Sequence, residues 1–234
     1  MARQLLASLA GGLIVSCQAS PGEPLYGPDS MTKMAQAALL GGAVGIRANG
    51  VADVRAIVQA VNVPVIGIWK VDAAPDEASI TTRMEHVRQL EEAGAAIVAI
   101  DGTSRRRPES RTAAEFIASI KRECRMALMA DVSTLEEGIA AAEAGVDVVG
   151  TTLSGYTSYT RALDGPDLAL IQALVRAIPT PVIAEGRIWT PDDAIAAFDA
   201  GAFAVTVGTA ITRPHHVTRR FADSISRWKQ QRHG

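Results

Sequence analysis

Lysine is scarce in this chain. Of 23 basic residues only Lys33, Lys70, Lys121 and Lys229 are lysines. Cysteine occurs twice, at Cys17 and Cys124, which makes neither a disulfide framework nor a zinc quartet and points to a reduced, cytoplasmic setting. A basic excess is missing too: 23 basic against 25 acidic residues leave a net charge of −2, so there is no electrostatic footprint for nucleic acid. No apolar run reaches the about 18 residues of a membrane helix. The apolar start, Met1 to Val15, carries a single Arg and is broken by Gly11-Gly12, which does not read as a signal peptide. What remains is globular: 234 residues, 48% hydrophobic and 21% charged, enough for a core without staples. Length alone leaves one large domain or two small ones, since α/β barrels of this size are single domains.

A repeat organises the chain. Gly42, Gly94, Gly145 and Gly201 lie 52, 51 and 56 residues apart. Each ends an Ala/Glu-rich helical pattern and opens a β-branched run, as a helix-stop glycine does. Eight short apolar runs start near positions 13, 44, 65, 97, 126, 148, 182 and 204. Helical stretches such as Thr82–Ala93, Arg111–Glu123, Leu135–Ala144, Leu168–Ala177 and Asp192–Ala200 separate them. Continuous apolar strands alternating with helices predict a parallel sheet covered on both faces, and eight units predict a single (β/α)8 TIM barrel over 1–234. A doubly wound open sheet is the alternative, disfavoured by the count of eight. Val217 to Gly234 reads as a last helix with a frayed basic end from about 229 to 234.

In such barrels the chemistry sits at the C-terminal ends of the strands. Strand 1 ends in Ser16-Cys17-Gln18, strand 2 in Arg47-Ala48-Asn49, strand 4 in Asp101, and strand 6 in Thr151 to Tyr156. Alternation places Lys70 in phase with Ile66 and Ile68, Asp131 with Met129, and Glu185 with Ile183. If the aliphatic residues fill the barrel, the charged ones crown its mouth. Strands 3 and 7 face each other across an eight-strand ring. Lys70 and Glu185 would then flank a small ligand on two faces, the arrangement for taking a proton from one face of a carbon and returning one to the other. Burial would lower the lysine's pKa and raise the glutamate's, which suits acid–base work. A structural ion pair is the alternative role for Lys70.

The loops after strands 7 and 8 carry Gly186, Gly208 and Arg213, where barrels of this class hold phosphate. No histidine falls at a strand end, so a His-ligated metal is not expected. His215 and His216 are adjacent and should not share a helix face. Asp101, Asp131 and Glu185 are the carboxylates that could hold a hard cation. Arg105, Arg106 and Arg107 read as a solvated loop, the alternative being that one arginine folds back over the mouth. Cys17 has no histidine or cation beside it in sequence to activate it.

Five motifs fall at these strand ends: Val15–Ala19, Gly45–Gly50, Thr151–Thr157, Ala184–Ile188 and Val207–Pro214. With them the chain resembles the N-acetylmannosamine-6-phosphate 2-epimerase family of sialic acid degradation. The resemblance implies a TIM barrel that epimerises C2 of a phosphosugar, N-acetylmannosamine 6-phosphate to N-acetylglucosamine 6-phosphate. It implies no cofactor, no metal, no nucleic-acid or membrane partner, and a homodimer. It makes Lys70 and Glu185 the acid–base pair. Gln18, Arg47, Asp131, Tyr156 and Arg213 become substrate-binding residues, and Gly186, Arg187, Gly208 and Thr209 the phosphate cradle. Departures from the family pattern are Val71 after the lysine, Trp69, Trp189, and Gly102 in the strand 4 loop. Two rivals stand beside this reading. One is a Schiff-base aldolase using Lys70 as an amine nucleophile, although such aldolases commonly carry their lysine on strand 6. The other is a non-catalytic phosphosugar sensor, for which a Lys/Glu pair is surplus.

Overall fold

The computed structural model describes residues 2–233. Its strands are β1 (Leu13–Cys17), β2 (Gly45–Asn49), β3 (Val65–Ile68), β4 (Ile97–Asp101), β5 (Ala127–Asp131), β6 (Val148–Gly150), β7 (Val182–Glu185) and β8 (Ala204–Val207). They pair in parallel in sequence order, and β1 also pairs with β8, which closes the barrel. The helices are α1 (Ala2–Ala7), α2 (Pro28–Leu40), α3 (Val51–Ala60), α4 (Met84–Glu92), α5 (Ala113–Glu123), α6 (Leu135–Glu143), α7 (Leu168–Ala177), α8 (Pro191–Asp199), α9 (Thr209–Thr212) and α10 (Pro214–His233). The expected TIM barrel is therefore present. The five helices named from the sequence start and stop within two residues of their expected ends.

Local chemistry explains those ends. Thr112 with Glu115, Thr134 with Glu137, and Thr190 with Asp193 form capping boxes at the starts of α5, α6 and α8, each satisfying two backbone N–H groups. The repeated glycines follow α2, α4, α6 and α8 with φ of 96°, 94°, 97° and 99°, a left-handed conformation that a side chain would strain.

Period-two alternation separates two apolar regions. Ile14, Ile66, Ile68, Ile97, Met129 and Ile183 point inward and fill the barrel. Val15, Ile46, Val65, Val98 and Leu128 point outward onto Met31, Ile57, Leu90, Phe116 and Ile120 of the helices. The bottom of the barrel is closed by a plug. Leu6 and Leu9, carried by α1 and the turn after it, pack against the inward residues, and Leu9 is fully buried. The apolar N-terminal run thus has a packing role that its composition did not reveal. At the other end of the chain, the expected frayed tail is helical through His233; Gly234 lies outside the described residues.

Candidate functional site

The mouth of the barrel at the C-terminal strand ends holds a cavity of about 410 Å³. Gln18, Arg47, Lys70, Tyr156, Glu185, Gly186, Arg187, Gly208, Thr209 and Arg213 all line it. Of the expected site residues only Asp131 is behind this surface, fully buried and reached through Arg47.

The centre is one charge network. Arg47 on β2 donates from Nη1 to Asp131 Oδ1 at 3.1 Å and from Nη2 to Asp131 Oδ2 at 2.5 Å. Its Nη1 also lies 3.2 Å from Glu185 Oε2. Thr152 Oγ1 donates to Asp131 Oδ1 at 2.6 Å and to Glu185 Oε2 at 3.4 Å. Burial alone would lower the Arg47 pKa, but Asp131 and Glu185 outweigh it and the guanidinium stays charged. Burial pushes Glu185 up to about 7; Arg47 opposes that shift and Asp131 reinforces it. Lys70 is displaced downward, first by desolvation and then by the Arg47 charge.

Lys70 follows the end of β3. Its backbone N–H donates to Asn49 Oδ1 at 2.8 Å, and it forms an antiparallel bridge with Ile80. Its side chain lines the cavity and has no ion-pair partner within 4.0 Å among the described residues. A structural ion pair is therefore not its role. The return segment that carries Ser79 and Ile80 forms part of the cavity wall, a contribution that no strand-end pattern signals.

Three polar atoms at the wall are buried without a partner among the described residues: Gln18 Oε1, Arg47 Nε and Thr206 Oγ1. Buried polar groups are normally satisfied, and these three unpaired atoms belong to residues that line the cavity. Ser16 and Gln18 hold each other, with Gln18 Nε2 donating to Ser16 Oγ at 2.7 Å.

Gly186 has φ 113°, a left-handed conformation that favours glycine, and a Cβ on Gly208 would make a tight 3.3 Å contact with Ser16 Cβ. The Arg187 guanidinium is committed elsewhere. It donates from Nε to Leu163 O at 2.7 Å and from Nη1 to Ser154 O at 2.9 Å, and it stacks 4.3 Å from the Tyr156 ring. Arg187 and Tyr156 thus tie the loop after β6 to the loop after β7. Arg213 donates from Nη2 to Ser20 Oγ at 3.1 Å and pairs with Glu23 at 3.1 Å.

Other sequence readings change. Asp101 does not join Asp131 and Glu185 around a common point. It is held by Arg105 at 2.5 Å, by Thr103 Oγ1 at 2.5 Å and by the Ser79 N–H at 2.9 Å. Arg105 and Arg107 are consequently not solvated: a fully buried carboxylate at the end of β4 needs counter-charge, and Arg105 supplies it while Arg107 Nη2 donates to the Asp101 carbonyl. Only Arg106 of the three is exposed. His215 and His216 do come together, with ring centroids 4.3 Å apart. With Glu23 they place possible ligand atoms within 4.8 Å of one another, though Arg213 already engages that carboxylate. Cys17 is buried, and desolvation pushes its thiol up to about 12, which removes it as a nucleophile. Trp69 turns away from the cavity and stacks on His86 at 4.5 Å, whereas Trp189 lines the cavity.

Comparison with known proteins agrees along nearly the whole chain. Residues 31–227 match the family model NanE, described as "Putative N-acetylmannosamine-6-phosphate epimerase". A protein of Caldanaerobacter subterraneus subsp. tengcongensis named "Putative N-acetylmannosamine-6-phosphate 2-epimerase" is 52% identical over 226 residues, covering 96% of this chain and 95% of that one. One of the same name from Cutibacterium acnes is 50% identical over 224 residues, covering 95% and 97%. The solved N-acetylmannosamine-6-phosphate 2-epimerase from Clostridium perfringens superposes with a TM-score of 0.89 at 43% identity, covering 94% of this chain and 95% of that one. A thiamine phosphate pyrophosphorylase from Pyrococcus furiosus, at TM-score 0.62 and 18% identity, shares the fold.

Proposed function

The chain belongs to the N-acetylmannosamine-6-phosphate epimerase family, and from that premise we propose how its cavity carries out epimerisation. The protein is an epimerase whose substrate is N-acetylmannosamine 6-phosphate and whose product is N-acetylglucosamine 6-phosphate. The observation that carries the mechanism is that Lys70 and Glu185, from opposite strands, line one small cavity with pKa values displaced toward each other.

Ring opening places an aldehyde at C1, and the proton on C2 becomes acidic. One of the pair removes it and an enolate forms. The other protonates the opposite face, and C2 is inverted. The enolate oxygen carries the developing charge, and the Arg47 guanidinium, fixed by Asp131, supplies a cation that need not reorganise. Gln18 Oε1 and Thr206 Oγ1 are free to meet sugar hydroxyls or the N-acetyl group. The phosphate sits between the Gly186 and Gly208 loops, with Thr209 and Arg213 beside it. Arg187 acts there through the loop geometry it holds. Because Arg213 lies at the phosphate end, Arg213→Ala should act mainly on KM.

We place the enzyme in the cytoplasm as a homodimer; no helix among the described residues is long and apolar enough to cross a membrane. Phe221, Ile225 and Trp228 of α10 are 69%, 53% and 53% exposed at the i, i+4, i+7 spacing of one helix face, a stripe suited to a second copy. Trp228→Glu should then lower the mass measured by light scattering.

The test is direct. The purified protein should convert N-acetylmannosamine 6-phosphate to its C2 epimer in the presence of EDTA, with solvent deuterium entering C2. Loss of activity in EDTA with recovery on adding a divalent ion would overturn the metal-free mechanism. Borohydride trapping of a sugar adduct on Lys70 would instead favour the aldolase, and binding without deuterium uptake the sensor.

A further inference from the structure

A second cavity, of about 990 Å³, opens beside the first on the same end of the barrel. It lies over the starts of α4 and α5, and nothing in the epimerisation uses it. At its wall is Arg107, only 5% exposed. The Arg107 guanidinium lies 5.2 Å from the Phe116 ring centroid and donates from Nη2 to the Asp101 carbonyl. Its Nε and Nη1 are buried with no partner among the described residues. His86, 9% exposed and lining the same cavity, has an unpartnered Nδ1.

The surrounding charges are accounted for one by one. Arg105 is neutralised by Asp101, Arg106 by Asp76 and Glu77, and Arg111 by Glu109. Glu137 is satisfied by donors from Ser104, Ser133, Thr134 and Tyr159. Asp72 and Glu136 are exposed and screened by solvent. Among the described residues Arg107 and Arg83 are the cavity cations without a carboxylate in salt-bridge contact, although the Asp101 charge also acts on Arg107 from nearby. Arg83 is also the N-cap of α4 and makes no side-chain cap, so the N–H groups of that first turn face outward uncapped.

A buried guanidinium with two idle donors is unfavourable unless something anionic meets it. We propose that this cavity is a binding site for a small oxyanion-bearing molecule, phosphorylated or carboxylated, whose anionic group is held by Arg107 with Arg83 and the start of α4. The two cavities share a wall: Ser79 and Ile80 line the first, and Glu77 and Ala78 the second. The Asp101 side chain that Arg105 holds also takes the Ser79 N–H, and Ile80 bridges to Lys70.

Crystals of the full chain soaked in sodium tungstate should show an anomalous peak within hydrogen-bonding distance of Arg107. In solution, radiolabelled inorganic pyrophosphate should bind Arg213→Ala protein, in which the first cavity's phosphate end is weakened. Adding Arg107→Met should reduce that affinity at least tenfold. If Arg107→Met fails to fold, the exposed Arg83→Gln makes the same comparison with an expected loss of several-fold. Tungstate found only beside Gly186, Gly208 and Arg213, or pyrophosphate binding indifferent to the substitutions at 107 and 83, would overturn the proposal.

Discussion

Arg47 Nη1 stands 3.2 Å from Glu185 Oε2 while the same guanidinium grips Asp131 with both of its terminal nitrogens. Glu185 is therefore neither free nor locked. Asp131 takes the stronger share of the cation, and the carboxylate left at the cavity keeps the raised proton affinity that a carbon acid–base needs.

Removing either member of the acid–base pair should cripple inversion and leave half of the chemistry. Lys70→Ala and Glu185→Gln should each reduce net epimerisation by ~10²–10⁴-fold, the usual worth of a positioned acid or base. Each variant should still exchange the C2 proton of one epimer with deuterated water, and the epimer that exchanges assigns the face. Near-normal turnover in Lys70→Ala with weakened binding would reduce Lys70 to a ligand contact.

The rate should follow a bell with both limbs drawn inward. Each direction needs one proton shared between Lys70 and Glu185, on the amine in one direction and on the carboxyl in the other. Both protonated, or both deprotonated, the pair is idle. Glu185, raised to about 7 by burial, sets the acid limb far above the ordinary carboxylate range. Lys70 stays exposed at the barrel mouth, but desolvation among the site's groups and the Arg47 charge lower it, so the alkaline limb falls below that of free lysine. These are macroscopic values of the pair. An acid limb of kcat/KM near ordinary carboxylate values would show that another group is being titrated.

Glu185 also has a thermodynamic signature. Its ordinary value is 4.5 and its folded value about 7, so the folded protein binds this proton more tightly than the unfolded chain. That contribution to stability is complete below the ordinary value and is lost as pH rises through the folded one. Glu185→Gln has no such loss. The difference in Tm between variant and wild type should therefore shift in the variant's favour between about pH 5 and about pH 8. A pH-independent difference would mean that the carboxylate is not desolvated.

Leu9→Ala should open the floor of the barrel. The side chain is fully buried against the inward-facing core, and Gly45 is small beneath it: a Cβ there would lie 2.7 Å from Leu9 Cδ2. The truncation should cost about 2–5 kcal/mol, read from denaturant midpoints, with KM unchanged because the site lies at the other end of the strands.

The barrel was legible because its signals are local. Each helix-stop glycine, each Thr-x-x-Glu or Thr-x-x-Asp cap and each in-phase pair such as Ile68 and Lys70 is read within a few residues. What escaped depends on distance. Leu6 and Leu9 read as a generic apolar start, because the floor they fill is assembled from strands far along the chain. Arg105 and Arg107 read as solvent-facing, because nothing in their own segment says that Asp101 is buried above them. Arg187 sat in the expected loop, but its partners, the carbonyls of Ser154 and Leu163, belong to another loop altogether. Local pattern locates side chains; long-range pairing decides whether they remain free for a ligand.

The join between β1 and β8 imposes an order on biosynthesis. Leu13 through Val15 pair with Val205 through Val207, and the turn before them is fixed by the Gly11 N–H on the Phe203 carbonyl. β1 is synthesised before β8 and thus waits for it. At translation rates of about 5–20 residues per second, the interval is roughly 10–40 s. Throughout it, Leu6, Leu9 and Ile14 have no floor to fill. The nascent chain carries its own stopper, and for that time the stopper is exposed apolar surface of the kind that makes unfinished folds prone to aggregate.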